Sequence, residues 1–307
     1  MPATLPPISD ADLRQLRVFR AVVEANGFTA AQGELGLARS TISAQMAELE
    51  TRLGLTLCRR GRGGFALTEH GQRIYAETVK LLRALEDFRA EAGGLRGRLV
   101  GDLRVGVVDH LIENPDCHLS AAIADFKRRA PDVHLTVLVI PPNQIENALV
   151  NRQLQIALVP NLPISPGIRL HELFSEDQTL FCSKGHPFFD LPEGALDLQK
   201  VGTAAHARRG YAVSTPYYAI FGRGAEATAF DMEGLAYLIL SGRFVGFLPR
   251  TYAERWVRRG EMRAIRPDLF GYRIGICLAH VTTGTLPRTA QLFRDAVLSR
   301  HGRKARG

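Results

Sequence analysis

The sequence predicts an α+β chain of two parts, a small helical head and a larger α/β body. Three observations carry this. Residues 10–92 contain no proline and read as successive helices. Gly93-Gly94-Leu95-Arg96-Gly97-Arg98 then makes a basic, glycine-rich joint of the kind that interrupts regular structure. Beyond it, short β-branched runs at 103–108, 133–140, 156–159 and 274–279 alternate with helical stretches at 119–129 and 144–151. That alternation argues for parallel sheet covered by helices. The length of 307 residues agrees, since roughly 150 residues per domain gives two domains.

The first helix starts near Ser9 or Asp10 and places Leu13, Leu16, Phe19, Val22 and Val23 on one stripe of a 3.6-residue period. Asn26-Gly27 is a left-handed stop. The second helix opens at Thr29, with Gln32 three residues on in capping-box spacing, and closes at Gly36. The third runs from about Arg39 to Leu53 and buries Ile42, Met46, Leu49 and Leu53. Its outer, N-terminal face carries Arg39, Ser40, Thr41, Ser43 and Gln45. Guanidinium, hydroxyl and amide groups hydrogen-bond base edges and phosphates. A short helix, a tight turn and a helix that opens with polar groups is the geometry of major-groove entry.

Residues 51–68 hold four arginines and no acid. Within them Arg60-Gly61-Arg62-Gly63-Gly64-Phe65 reads as two short strands joined by a basic tip. Such a wing brings backbone close to phosphates and lets arginine reach the minor groove. Arg60, Arg62 and Gly63 are its candidate DNA contacts. A long helix follows, capped by Thr68. Ile74, Leu81 and Phe88 recur every seven residues, with Leu85 four beyond Leu81. This seam is expected to pair two subunits, although the same residues would also serve to pack the helix on its own domain.

The head motifs resemble those of LysR-type transcriptional regulators. The matching runs are residues 13–19, then Gly27-Phe28-Thr29-Ala30-Ala31, then 38–50, 53–60 and Leu67-Thr68-Glu69-His70-Gly71. The family usually has Ser, Gln and Pro where this chain has Ala38, Arg39 and Ser40. The third helix therefore lacks a good N-cap and gains a cation at its reading end. Cys58 stands where the family commonly has Phe and is read as a small buried residue.

The resemblance implies a winged helix-turn-helix with a long linker helix, then a two-lobed α/β effector domain like that of periplasmic binding proteins. The expected divisions are 1–68 for the DNA-binding head, 69–92 for the linker and dimerisation helix, and 93–98 for a hinge. The effector domain takes 99–300, with lobe I at 99–162 and 270–300 and lobe II at 166–265. Residues 301–307 form a basic tail. Ligands of such sheets sit beyond the carboxyl ends of the strands. That rule selects Asp109, His110 and Leu111 after the first strand, Asn143 and Gln144 after the second, and Pro160 after the third. In lobe II it selects Thr203, Arg208 and Gly246. Free N–H groups at helix starts and a guanidinium at Arg208 suit an anionic effector.

The formal net charge is +8, which raises nucleic acid as a partner. Yet residues 1–95 hold twelve basic against eleven acidic residues, and 96–307 hold twenty-seven against twenty. The surplus lies in the body, and the DNA-reading face rests on local pattern. No run of about 18 apolar residues exists, so no membrane association is expected. Residues 1–15 lack an apolar core behind a basic head, so no secretory signal is expected and the compartment is taken as cytoplasm. Cys58, Cys117, Cys182 and Cys277 are far apart and form no zinc pattern. No nucleophile motif, phosphate loop or metal spacing is present, so neither enzyme activity, cofactor nor metal is expected.

The reading is a sequence-specific regulator whose DNA binding or transcriptional output responds to a small molecule between the lobes. Its expected partners are double-stranded DNA, the effector, further copies as a homodimer or homotetramer, and RNA polymerase. The alternative is an α/β small-molecule receptor or enzyme with an appended helical dimerisation domain.

Overall fold

A computed structural model describes residues 7–61, 64–95, 99–211, 219–221 and 226–302. Arg62, Gly63, the hinge residues 96–98 and the tail 303–307 therefore lie outside the described residues, as does the side chain of Arg60. The chain forms two compact units, residues 1–92 with 151–153, and 93–150 with 154–307.

The head opens with α1 (Asp10–Glu24), α2 (Ala31–Leu35) and α3 (Arg39–Leu53). Ser9 and Asp12 form a reciprocal capping box on α1: the Ser9 backbone N–H donates to Asp12 Oδ2 at 2.6 Å. The expected box at Thr29 and Gln32 is absent. Ala30 occupies the cap position without a side-chain bond. The turn after α1 already supplies the first acceptors, with Gly27 O taking Ala31 N–H and Thr29 O taking Gln32 N–H. Phe19, Val22, Ile42, Met46, Leu49 and Leu57 close the head core.

Strands β1 (Cys58–Gly61) and β2 (Gly64–Leu67) pair antiparallel, with Cys58 opposite Leu67 and Gly61 opposite Gly64. Glu50 ties them to α3, its Oε1 accepting the N–H groups of Leu57 and Cys58 at 2.6 and 3.2 Å. Thr68 Oγ1 donates to Thr56 O at 2.7 Å and accepts from Gly71 N–H at 2.9 Å, capping α4 (Glu69–Leu95). At Gly71 a Cβ would stand 1.9 Å from Leu57 O, so only glycine lets helix and wing meet there.

Helix α4 continues through Gly93, Gly94 and Leu95, where the composition suggests a break. Each helical glycine costs about 1 kcal/mol relative to alanine, but extending a formed helix is cheap compared with nucleating one. The seam also divides. Ile74 and Leu81 pack, half-buried, on the head core, whereas Phe88 is 71% exposed. The seven-residue repeat thus divides between a half that packs on the head and an exposed end, because a helix of this length outruns the head beneath it.

The body contains β3 (Gly101–Val107), α5 (Leu119–Arg129), β4 (Val133–Val139), α6 (Pro142–Val150), β5 (Ile156–Pro160) and β6 (Ile168–Ser183). Next come α7 (Leu198–Gly202), β7 (Ala207–Arg209), β8 (Ala227–Ala229), α8 (Met232–Leu240) and β9 (Gly246–Pro249). It ends with α9 (Arg250–Arg258), β10 (Met262–Ala264), β11 (Gly271–Val281) and α10 (Arg288–Arg300).

The main sheet has the order β10-β6-β11-β5-β3-β4, with β9 also on β6. It is mixed rather than parallel. β3 pairs β4 and β5 in parallel, while β11 runs antiparallel to both β5 and β6. The crossover helices indicated the parallel part; the run at 274–279 lies in β11, but its antiparallel pairing with β5 and with the long β6 has no local signature.

Those two long strands, β6 and β11, also serve more than one core. Ile168, Leu173, Ile276 and Leu278 belong to the first lobe's core, with Phe126 and Phe293 edge to face at 5.3 Å. Further along β6, Phe181 enters one core of the second lobe, and Leu180 and Cys182 enter another. Strands β6 and β11 thus contribute side chains to more than one core of the body. A strand can change cores without turning.

Candidate DNA-reading face and ligand cleft

On the head, Arg39, Ser40 and Thr41 are exposed in the first turn of α3, and Ser43 and Gln45 are half-buried below them. Ala38 offers no side-chain cap, so free backbone N–H groups remain at this end. Arg39 and Ser43 line a cavity of about 420 Å³ that Phe28, Gly64 and Phe65 complete. The wing strands thus stand beside the opening of α3. Arg52, part of the acid-free basic run, is turned the other way. It pairs with Asp12 and donates to Pro7 O at 2.9 Å, which makes it a structural residue.

In the body, a polar chain crosses from one lobe to the other. Asp109 and His110 follow β3, and His110 adopts a left-handed φ of 60°. The His110 ring faces a carboxylate at each nitrogen: Nδ1 lies 3.3 Å from Asp109 Oδ1 and Nε2 3.1 Å from Glu176 Oε2 on β6. Asp109 Oδ2 also accepts the N–H of Met232, the first residue of α8 in the second lobe. Asn114 donates to Glu176 Oε1 at 3.3 Å, Gln178 Nε2 to Glu176 Oε2 at 3.0 Å, and Arg209 to Gln178 Oε1 at 2.6 Å. The Tyr252 ring meets the His110 ring at 5.9 Å.

Burial works against the charge on His110, but its bonds to Asp109 and Glu176 outweigh burial and hold its pKa above the ordinary value. Burial likewise opposes charge on Asp109, yet the bonds from His110 and Met232 keep that carboxyl below its usual range. Glu176 is lowered against burial by His110, Asn114 and Arg209. The result is a desolvated, internally compensated set of charges, the kind that persists only when every member is partnered.

The expected effector residues separate into three groups. Asp109 and His110 belong to this polar chain. Asn143 and Pro160 line a neighbouring cavity of about 350 Å³, together with Leu162 and Tyr211. The rest lie elsewhere. Leu111 is in the first lobe's core, and Gln144 is exposed. Thr203 caps α7, its hydroxyl donating to Lys200 O at 2.7 Å. Gly246 is a packing glycine, since a Cβ there would meet Ile239 at 2.9 Å. Arg208 is exposed and Arg209 is buried, as successive strand residues face opposite sides.

Glu176, Gln178, Asn114 and Tyr252 were not anticipated. A signal existed for the first two: Glu176 and Gln178 share one strand face and are followed by an apolar run. Burial pushes the Cys182 and Cys277 thiols up to about 11, far from the thiolate range that reactive cysteines need.

A helix-turn-helix with a wing beside its third helix, followed by a two-lobed α/β body with a polar cleft, defines a ligand-responsive DNA-binding protein. Residues 13–72 match the bacterial regulatory helix-turn-helix domain of the lysR family, and residues 96–302 match the LysR substrate binding domain. The HTH-type transcriptional activator BauR of Pseudomonas aeruginosa is 38% identical over 276 residues, 90% of either chain. The regulator PtxR of the same organism is 26% identical, covering 99% of this chain and 97% of its own. Among solved structures, full-length CbnR with its target DNA superposes at a TM-score of 0.63 and 19% identity, over 94% of this chain and 99% of that one. A full-length OxyR variant from Pseudomonas aeruginosa gives 0.63 and 18%, over 95% of each.

The chain belongs to the LysR family. It is a DNA-binding transcriptional regulator with an effector-binding domain, not an enzyme. Among the described residues no helix is long and apolar enough to cross a membrane.

Proposed function

We propose that this regulator reads operator DNA with Arg39, Ser40, Thr41, Ser43 and Gln45 of α3. Arg60, Arg62 and Gly63 hold the wing on the backbone or in the minor groove. The observation that carries this reading is the exposed Arg39-Ser40-Thr41 turn standing beside the wing strands. Side chains at the start of a recognition helix reach base edges once that helix enters the major groove. Leu85 and Phe88 pair subunits, so that two heads meet two half-sites. The effector occupies the body's cleft near Asp109, His110, Asn143, Pro160 and Tyr211, and its preference for one lobe arrangement alters the DNA-bound assembly. The protein works in the cytoplasm, and RNA polymerase is the partner through which operator binding becomes output.

Gel-shift titrations on operator and scrambled duplexes test the head assignment. Arg62→Ala weakens binding to every sequence, and Arg39→Ala also flattens the salt dependence by about one phosphate contact. Thr41→Ala and Ser43→Ala change the preference between duplexes. Unchanged affinity in all four variants removes this face from the interface.

A further inference from the structure

We propose that Asp109, His110 and Glu176 form a proton-operated latch between the two lobes, closed when His110 is an imidazolium and released when it is neutral. The inference deepens the reading of the cleft as the regulatory site, and its logic starts from donor counting. An imidazolium donates from both ring nitrogens, whereas a neutral ring donates from only one. His110 has carboxylate oxygens at both, 3.3 and 3.1 Å away, and its side chain is only 5% exposed. Loss of the proton turns a lone pair toward a buried carboxylate, with little water to intervene.

The latch reaches the second lobe through Asp109. One of its oxygens faces the His110 ring and the other accepts from Met232 N–H at the start of α8. A second bond between the lobes lies alongside, from Arg255 on α9 to Glu113 in the turn after His110. The ionisable groups around the ring balance in one state. Asp109 and Glu176 are anions, and Arg209 acts on both from β7. Tyr252 meets the ring from α9 with Arg255 over the Tyr252 ring, and Asp231 and Glu233 act on Tyr252 from the start of α8. Around the ring itself, among the described residues, two carboxylates meet one guanidinium. The protonated ring therefore completes neutrality, and the neutral ring leaves one negative charge uncompensated in a buried site. The bonds to both carboxylates raise the His110 pKa despite its burial. By linkage, the closed arrangement is favoured below the ordinary histidine value of 6.5 and is lost as pH rises through the higher value of the closed state.

The chain carries a reporter in place. Its single tryptophan, Trp256, stacks edge-on against Tyr252 at 5.2 Å, and Tyr252 touches His110. The test is a pH titration of Trp256 emission in the full-length protein, with hydrogen exchange of the peptide 231–235 followed in parallel and corrected for intrinsic rates. No DNA or effector is present, so failure of the head or effector assignments leaves the outcome unaffected. The wild type shows an emission transition with its midpoint above 6.5, and exchange at the start of α8 rises severalfold across the same range. His110→Asn, which suits the left-handed backbone, abolishes the transition and exchanges at the high-pH rate throughout. Asp109→Asn moves the midpoint down. A flat wild-type titration, a transition that survives in His110→Asn, or an unmoved midpoint in Asp109→Asn overturns the latch. Should His110→Asn fail to fold by circular dichroism, the wild-type and Asp109→Asn midpoints still decide.

Discussion

Arg209 donates to Gln178 Oε1 at 2.6 Å from inside the second lobe, while Arg208, its neighbour on the same three-residue strand, is exposed. Two adjacent arginines of identical chemistry thus hold unrelated positions. Arg209 is the one whose charge acts on Asp109 and Glu176, because successive strand residues point to opposite faces.

Substitution separates the two. Arg208→Ala leaves stability within about 0.5 kcal/mol, as surface changes do. Arg209→Ala strips a buried acceptor of its partner and costs about 1–3 kcal/mol. Urea denaturation of the full chain, followed in the second lobe through Trp256 fluorescence, checks both. Equal effects would place the two arginines in the same environment, contrary to this arrangement.

Ser9→Ala removes the side-chain half of the α1 capping box and costs about 1 kcal/mol of head stability, read by thermal denaturation. Asp12 adds a pH dependence. The backbone and hydroxyl of Ser9, then the Arg52 charge, hold its carboxyl below the usual 3.8. A depressed folded-state pKa gives stability that is present above the unfolded value and disappears as pH falls through the folded one. Acid titration of stability therefore shows a loss below pH 3.8 that is reduced in Asp12→Asn.

Gly71→Ala and Gly33→Ala have opposite signs. At Gly71 the new methyl meets Leu57 O at 1.9 Å, and at Gly33 in α2 nothing stands within 4 Å. The first forces the wing off α4, costing about 1–3 kcal/mol. The second gains about 0.5–1 kcal/mol from helix propensity. Melting temperatures of the two variants measure the difference.

The α4 seam divides by readout. Leu81→Ala lowers head stability by about 1–2 kcal/mol, since its half-buried side chain packs on that core. Phe88→Ala leaves unfolding unchanged, since its ring is exposed, but weakens subunit association in sedimentation experiments if the proposed pairing through α4 holds. Loss of stability in Phe88→Ala, with association intact, would assign it to its own chain.

Local patterns carried the head. Ile42, Met46 and Leu49 fall on one side of α3 by periodicity alone, Asn26-Gly27 stops α1 where the left-handed backbone is cheapest, and the 58–67 hairpin follows from its glycine-rich tip. These features depend on neighbours a few residues away, and sequence spacing records such neighbours directly. The cleft had no comparable record. His110 meets Glu176 across 66 positions, and Asp109 meets Met232 across 123. The buried place of Arg209 beside exposed Arg208 belongs to β7, which pairs with β8, and the sharing of cores within the body belongs to two long antiparallel strands. A buried ion cluster forms only where distant segments exclude water together. Its members were visible in the sequence as residue types, but their partnership was created by folding.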